Sequence, residues 1–310
     1  MSKKNPKLVV IDAPAVLHRA WHALPKLTDP QGRIINAVYG FTVLLLKLIR
    51  EQKPDYLAVA FDTKAPTFRH KKYKEYKATR VPQPQEFYDQ IPITKKIIQA
   101  FNIPIFACDG FEADDLIGTI VDYQKNKISK LKSLIITGDL DFLQLVDARS
   151  HVYFLRQGLS KIKIYDRSAV YQRFDLFPKQ LIDFKALQGD ASDNIKGAPG
   201  VGPKTALGLI KKFKTLENIY QYLEKSKLKN KTPQIKETLA KILIENKKNI
   251  LLAKELVTIK KNVKTISLDK IKRLNNFDLV KIIQTFKKLG FNTLIKKIEK
   301  NGLVNQSKLF

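Results

Sequence analysis

The sequence predicts an α/β fold, a parallel sheet with helices on both faces, followed by an all-helical region. Three observations predict it. Short β-branched apolar runs alternate with amphipathic stretches through residue 175. Three of these runs end on acidic residues: Asp12, Asp62 and the pair Asp139 and Asp141. From Pro178 onward the strand signals stop and lysine-rich helical periodicity takes over. A chain of 310 residues suits one large domain or two modest ones, and the change of pattern divides it into residues 1–175 and 176–310.

The elements follow in order. Residues 8–12 are apolar up to their final Asp, as befits a strand buried on both faces. Residues 34–52 form a core helix, whose apolar stretch over 41–49 is interrupted by Lys47 and too short for a bilayer. Residues 56–62 repeat the first strand's pattern. Residues 63–84 break the alternation with a basic, aromatic connection at the sheet edge, where binding loops gather. A helix is expected over 85–101, a strand over 104–108 and a helix over 112–125. A strand over 133–138, a helix over 140–146, a strand over 151–155 and a short one over 161–165 complete the first region. The helical region is read as 178–187, a tight turn at 199–203, then 204–213, 216–223, 232–254 and 278–298. A polar connection is expected at 230–233 and fraying over 301–310.

The net charge of +28 is uneven. Residues 196–310 carry 27 Lys and Arg against 8 Asp and Glu, whereas the first 195 carry 30 against 21. Such a polycation favours nucleic acid through counterion release. Lys, Asn and Ile would also abound in a chain from an AT-rich genome, so charge alone does not decide. No basic amphipathic stretch stands apart to suit a membrane surface. The single cysteine, Cys108, excludes an internal disulfide and suits a reducing cytosol. Residues 1–6 run into the first strand without a signal-peptide pattern, so a cytoplasmic protein is expected.

Nine carboxylates carry the chemistry: Asp12, Asp62, Glu112, Asp114, Asp115, Asp139, Asp141, Asp190 and Asp193. Taken singly, each has a local explanation as a helix cap, a dipole partner or a turn residue. Together they place acidic groups from five segments at the carboxyl ends of strands or in adjoining loops, where α/β sheets bind ligands. Gathered there they repel one another unless cations lie between, and all-oxygen donors suit Mg²⁺ or Mn²⁺. The histidines His18, His22, His70 and His151 show no metal-ligand spacing, which argues against zinc. Two such ions suit in-line attack on a phosphodiester. No Ser-His-Asp or Cys-His nucleophile is evident, and a glycosidase needs only two carboxylates and no basic half.

Two further stretches point to DNA. In residues 197–206, Gly200 and Gly202 let a backbone approach closely, while Lys204 and Thr205 open a helix whose N-terminus attracts phosphate. No strand precedes these glycines, which excludes a dinucleotide loop. In residues 63–84, Tyr73 and Tyr76 interleave the lysines, as on a stacking platform.

These residues resemble the 5′ nuclease family, the bacterial DNA polymerase I-type 5′→3′ exonucleases and flap endonucleases. The likeness runs through residues 8–24, 37–46, 61–80, 109–118, 137–145 and 187–209. It implies a PIN-like catalytic domain, a helical arch at 63–84 and a helix-hairpin-helix-like motif at 197–206. It implies two Mg²⁺ or Mn²⁺ ions shared among the nine carboxylates, with the last three or four, Asp141, Asp190 and Asp193 with or without Asp139, nearer the second. Lys77 and Arg80 would contact the scissile phosphate, Tyr76 would stack a base, and Arg19 would lie near the first ion. The hairpin would hold a K⁺ ion against DNA phosphate. The implied partner is DNA, as 5′ flaps, nicked duplex and RNA-primed ends, acted on by a monomer in primer removal and repair. The family's Gly after the first Asp is here Ala13-Pro14, which puts the local backbone in question. With no polymerase region following, the chain reads as a free-standing nuclease or an excised domain. A non-catalytic DNA-binding protein of the same fold is disfavoured, because carboxylates near DNA oppose binding unless metal offsets them. A single-strand ribonuclease is disfavoured by the hairpin, which suits a duplex.

Overall fold

The computed structural model describes residues 5–227, 234–274 and 277–301. The expected connection at 230–233 and the tail beyond Asn301 lie outside them. The first region comprises β1 (Lys7–Asp12), α1 (Ala13–Ala23), α2 (Asn36–Gln52), β2 (Tyr56–Ala60), α3 (Phe68–Lys72), α4 (Gln85–Tyr88), α5 (Gln90–Ala100), β3 (Ile105–Phe106) and α6 (Ala113–Lys127). It continues with β4 (Lys132–Thr137), a 3-10 turn (Leu140–Leu145), β5 (Ser150–Gln157), β6 (Lys161–Tyr165) and α7 (Arg167–Phe174). Then follow α8 (Gln180–Gln188), β7 (Gly189–Asp190), β8 (Ile195–Lys196), α9 (Pro203–Phe213), α10 (Leu216–Lys227), α11 (Glu237–Glu245), α12 (Lys247–Val257), α13 (Leu279–Lys288) and α14 (Asn292–Asn301).

The main sheet has the order β3-β2-β1-β4-β5-β6, parallel except for β6, which pairs antiparallel with β5. The chain winds outward from β1 to β3, then returns to place β4 on the other side of β1. The switch between β1 and β4 opens a crevice beyond their carboxyl ends. Asp12 closes β1, and Gly138-Asp139 follows β4, so both acidic sites border this crevice.

Strand alternation sorts the core into two layers. Leu8 and Val10 of β1 pack with Leu116, Ile117 and Ile120 of α6 and with buried residues of α8 to α12. Val9 and Ile11 face the other way, onto α1, α2, α5, α13 and α14. The late helices therefore cover both faces of the sheet. Each buried Leu, Ile or Val contributes about 1.5–3 kcal/mol relative to exposure, so the two layers hold the strand ends rigidly.

Several elements differ from expectation. Ala13-Pro14 does not disrupt the backbone after Asp12 but starts the unforeseen helix α1. Asp12 caps it by accepting from the Ala15 N–H at 3.2 Å, and Pro14 in the first turn needs no donor there. The expected helix over 85–101 divides at Asp89, and that over 232–254 divides at Asn246, whose side-chain amide donates to the Ile242 carbonyl at 2.9 Å. The helix over 278–298 breaks at Gly290, with φ +69°. Residues 140–146 form a 3-10 turn rather than an α-helix, α7 was not foreseen, and within the expected helical arch at 63–84 only α3 is helical, with turns over 74–79.

Candidate active site

Two sets of carboxylates line the crevice. In the first set, backbone and hydroxyl donors fix the side chains. Asp12 is 3% exposed, and its second oxygen accepts from the Thr137 hydroxyl at 2.5 Å. Thr137 ends β4, so this bond ties the two central strands together at their carboxyl ends. Asp62, exposed just after β2, accepts from the Ala113 N–H at the start of α6 at 2.7 Å. Asp139 caps the 3-10 turn, accepting from the Asp141 N–H at 2.8 Å. Asp114 lies half-buried in the first turn of α6.

No Lys or Arg forms an ion pair with Asp12 or Asp114 among the described residues. Burial, then the charges of Asp62 and Asp139, push the Asp12 carboxyl up to about 7. Burial, then Asp12, Asp139 and Glu112, hold Asp114 well above the usual carboxylate range. These mutual effects place Asp12, Asp62, Asp114 and Asp139 in one electrostatic neighbourhood. Among the described residues, however, no three acidic, histidine or cysteine side chains surround a common point at ligand distance.

In the second set, each carboxylate already has a cation. Lys185 of α8 donates to both Asp141 and Asp190, the latter at 2.7 Å. Burial and then Asp139 raise Asp141 to about 7 against the pull of Lys185. At Asp190 burial acts upward too, but Lys185 and Ser192 more than offset it, and the carboxyl lies below its ordinary value. Asp193 pairs with Arg80, and Glu112 with Lys77 at 3.0 Å. Between the strands of the tiny β7–β8 ribbon, Asp190 caps and Asp193 ends a second 3-10 turn over Ala191–Asp193. Gly189 and Gly197 let its two strands close, since a Cβ on Gly197 would lie 2.3 Å from the Gly189 nitrogen.

The segment 73–80 lies directly on this set. The Lys77 N–H donates to the Asp193 carbonyl at 2.9 Å, with Lys77 itself at φ +56°. The Asn194 amide donates to the Glu75 carbonyl at 2.8 Å. Arg19 reaches over Gly138 and donates to its carbonyl at 3.2 Å.

Two expectations are corrected. Asp115 does not face the crevice. It is fully buried, and its oxygens accept from Arg69 at 2.7 and 2.9 Å and from the Lys260 and Glu112 N–H groups at 2.8 and 3.2 Å. That leaves it a structural anchor, since a metal would have to break four bonds. Tyr76 is not available for stacking. It is 3% exposed, packs its edge against His70, and donates to Glu112 and Asp193, both at 3.1 Å. Tyr73 is half-buried and donates to Glu75 at 3.0 Å. At the hairpin, Gly200, Gly202 and Lys204 are exposed and Thr205 is half-buried. Gly200 has φ +71°, and nothing approaches within 4 Å of where its Cβ would lie, so its backbone is open to a ligand.

Sequence reasoning overlooked Arg69 and Lys185. Arg69, 2% exposed, also donates to the Leu256 and Thr258 carbonyls at 2.8 and 3.1 Å, tying the foot of segment 63–84 to the chain leaving α12. A basic residue within a β-strand-flanking basic loop gives no local sign of burial. Lys185 was one lysine among many; its position five residues before Asp190 was the available signal.

Comparisons with known proteins show the family and the fold. Residues 7–175 match the family profile described as 5′-3′ exonuclease, N-terminal resolvase-like domain, and residues 176–278 match 5′-3′ exonuclease, C-terminal SAM fold. The chain is 37% identical over 294 residues to DNA polymerase I of Bacillus caldotenax, covering 94% of this chain and 32% of that protein. It thus spans about a third of the length of the curated relatives it matches. Among solved structures, it is similar to the bacteriophage T5 D15 flap endonuclease in complex with DNA and metal ions. There the TM-score is 0.68 at 18% identity, covering 92% of this chain and 99% of the other. It is also similar to the catalytic core of Rad2 with DNA substrate, at TM-score 0.62 and 16% identity, covering 97% and 93%. Identities this low establish a shared fold. Both profiles are matched in succession, over a crevice where carboxylates meet at the switch of a parallel sheet, and the chain belongs to the 5′-3′ exonuclease family.

Proposed function

We propose that the chain is a Mg²⁺- or Mn²⁺-dependent 5′→3′ exonuclease and structure-specific 5′-flap endonuclease that hydrolyses DNA phosphodiesters in primer removal and repair. The observation that carries this reading is the pair Asp12 and Asp114, fully and half buried, without an ion-pair partner among the described residues and raised by burial and then by neighbouring carboxylates. An all-oxygen donor set of this kind fits hard divalent ions and does not fit a softer, imidazole- or thiolate-bound metal. Asp12, Asp62, Glu112 and Asp114 would hold a first ion, and Asp139, Asp141, Asp190 and Asp193 a second. When bound, the two ions would lower the pKa of a water and offset charge on the phosphate and leaving 3′ oxygen.

The chain's own residues do the rest. Lys77 and Arg80, above Glu112 and Asp193, would turn from those carboxylates to the scissile phosphate. Arg19, held at Gly138, would steady the strand beside Asp139. The open backbone at Gly200 and Gly202, with Lys204 and Thr205, would grip duplex phosphate without reading sequence, with K⁺ at the hairpin carbonyls. Tyr73 would border the strand's path. The protein would act as a cytoplasmic monomer; no described helix is long and apolar enough to cross a membrane.

The test is to incubate 5′-flap, nicked and single-stranded DNA with Mg²⁺ and with chelator, and to size the products. Release of the flap at its junction with Mg²⁺ alone is expected. Cleavage that persists in chelator, or products bearing 3′ phosphate, would overturn the reading.

A further inference from the structure

Asp141 and Asp190 belong to distant segments, the 3-10 turn after β4 and the strand β7, and one ammonium group joins them. Lys185 Nζ donates to Asp141 Oδ1 and to Asp190 Oδ2, the latter at 2.7 Å, and has no other acceptor among the described residues. The remaining Asp190 oxygen is taken by the Ser192 N–H and hydroxyl at 2.9 and 2.6 Å. The Lys185 side chain is 25% exposed, so it has an open route out. Beside it, Arg80 pairs with Asp193 in the same manner. Among the described residues, Asp12, Asp62, Asp114 and Asp139 have no such partner.

We propose that Lys185 is a built-in cation that stands between Asp141 and Asp190 in place of the second divalent ion, so that this ion binds only by displacing the ammonium. This rests on the two-ion reading above and adds the regulation of its second site. One carboxylate lone pair cannot serve an ammonium and a divalent ion together. A lysine left nearby would also repel the incoming charge, so the stem must swing away, and four methylenes allow that. Loading is therefore ordered. The first site meets a cation only at Glu112, through Lys77, while Asp12 and Asp114 carry none among the described residues, and the second site stays weak until the ammonium finds another acceptor. A DNA phosphodiester is such an acceptor, and by linkage DNA then tightens the second ion as much as the ion tightens DNA.

The experiment is a Mn²⁺ titration of the full chain without DNA, with free Mn²⁺ read by electron paramagnetic resonance. In the wild type one ion binds tightly and a second weakly. Lys185→Met removes the competitor, and the second affinity rises by about tenfold, the scale of a partly buried ion pair. Lys185→Arg keeps the charge and leaves the second site weak. Adding Asp190→Asn to Lys185→Met abolishes the gain. Circular dichroism melts establish that each variant is folded, and Lys185→Gln, with the same expected gain, replaces any that is not. An unchanged or weakened second site in the uncharged variants overturns the proposal, because Lys185 would then support the ligands rather than compete with metal. Failure of the two-ion reading has another signature: a wild type that binds no Mn²⁺, or binds it identically after Asp12→Asn.

Discussion

The two carboxylate sets differ in what opposes their repulsion. Asp12, Asp62 and Asp139 are held by N–H and hydroxyl donors of the strand ends and α6, whereas Asp141, Asp190, Asp193 and Glu112 are held by Lys185, Arg80 and Lys77. Backbone donors cannot leave without unfolding the sheet edge. Lysine and arginine side chains can leave at the cost of one ion pair. The first set is thus preorganised by the fold, and the second is preorganised by charges that a ligand can displace. A third arrangement, Arg69 with Asp115, shows the same chemistry buried and immovable.

The contrast can be broken at four points. The largest effect is expected at the first set and the turn joining it to the second: Asp139→Ala should lower cleavage by at least ~10³-fold while duplex affinity stays within a few-fold. Single-turnover kinetics beside a binding titration check this, and retained turnover would remove Asp139 from the chemistry. Arg69→Ala should cost about 3–5 kcal/mol of stability, because it strands the buried Asp115 charge. Urea unfolding measures it, and a loss below 1 kcal/mol would mean that Asp115 finds water or a proton instead. Lys77→Ala should slow cleavage by about tenfold or more with a smaller loss of binding, as a charge that acts on the reacting phosphate does. Equal losses would make Lys77 a docking residue. The smallest effect is expected far from both sets: Lys204→Ala should weaken binding alike on all sequences and reduce the salt slope by about one. A sequence-dependent loss would contradict a phosphate contact.

Much of the candidate site was legible because its signals are local. An apolar run of five or six residues that ends on Asp reveals both the strand and the side of the sheet where its carboxylate emerges, as with Asp12 and Asp62. Asp114 and Asp115 were not separable. Neighbours on a helix point about 100° apart, and only the packing of α6 sends one to the crevice and the other to Arg69 and the Lys260 N–H. Tyr76 looked like a stacking residue because it lies in a lysine-rich stretch, but the segment folds down onto Glu112 and Asp193 and buries it. The helix after Asp12 was missed because Pro14 reads as a breaker anywhere except in the first turn.

Periodicity, strand-end acids and the change from balanced to cationic composition are written in consecutive residues, so the sequence alone determined the parallel sheet, the edge where its carboxylates gather and the cationic character of the later helices. Which carboxylates lie open and which are already neutralised was decided only in three dimensions. Arg69, Lys77, Arg80 and Lys185 find their acids 46, 35, 113 and 44 residues away. Pairings over such separations depend on how α3, α6 and α8 pack around the sheet, which no local pattern encodes.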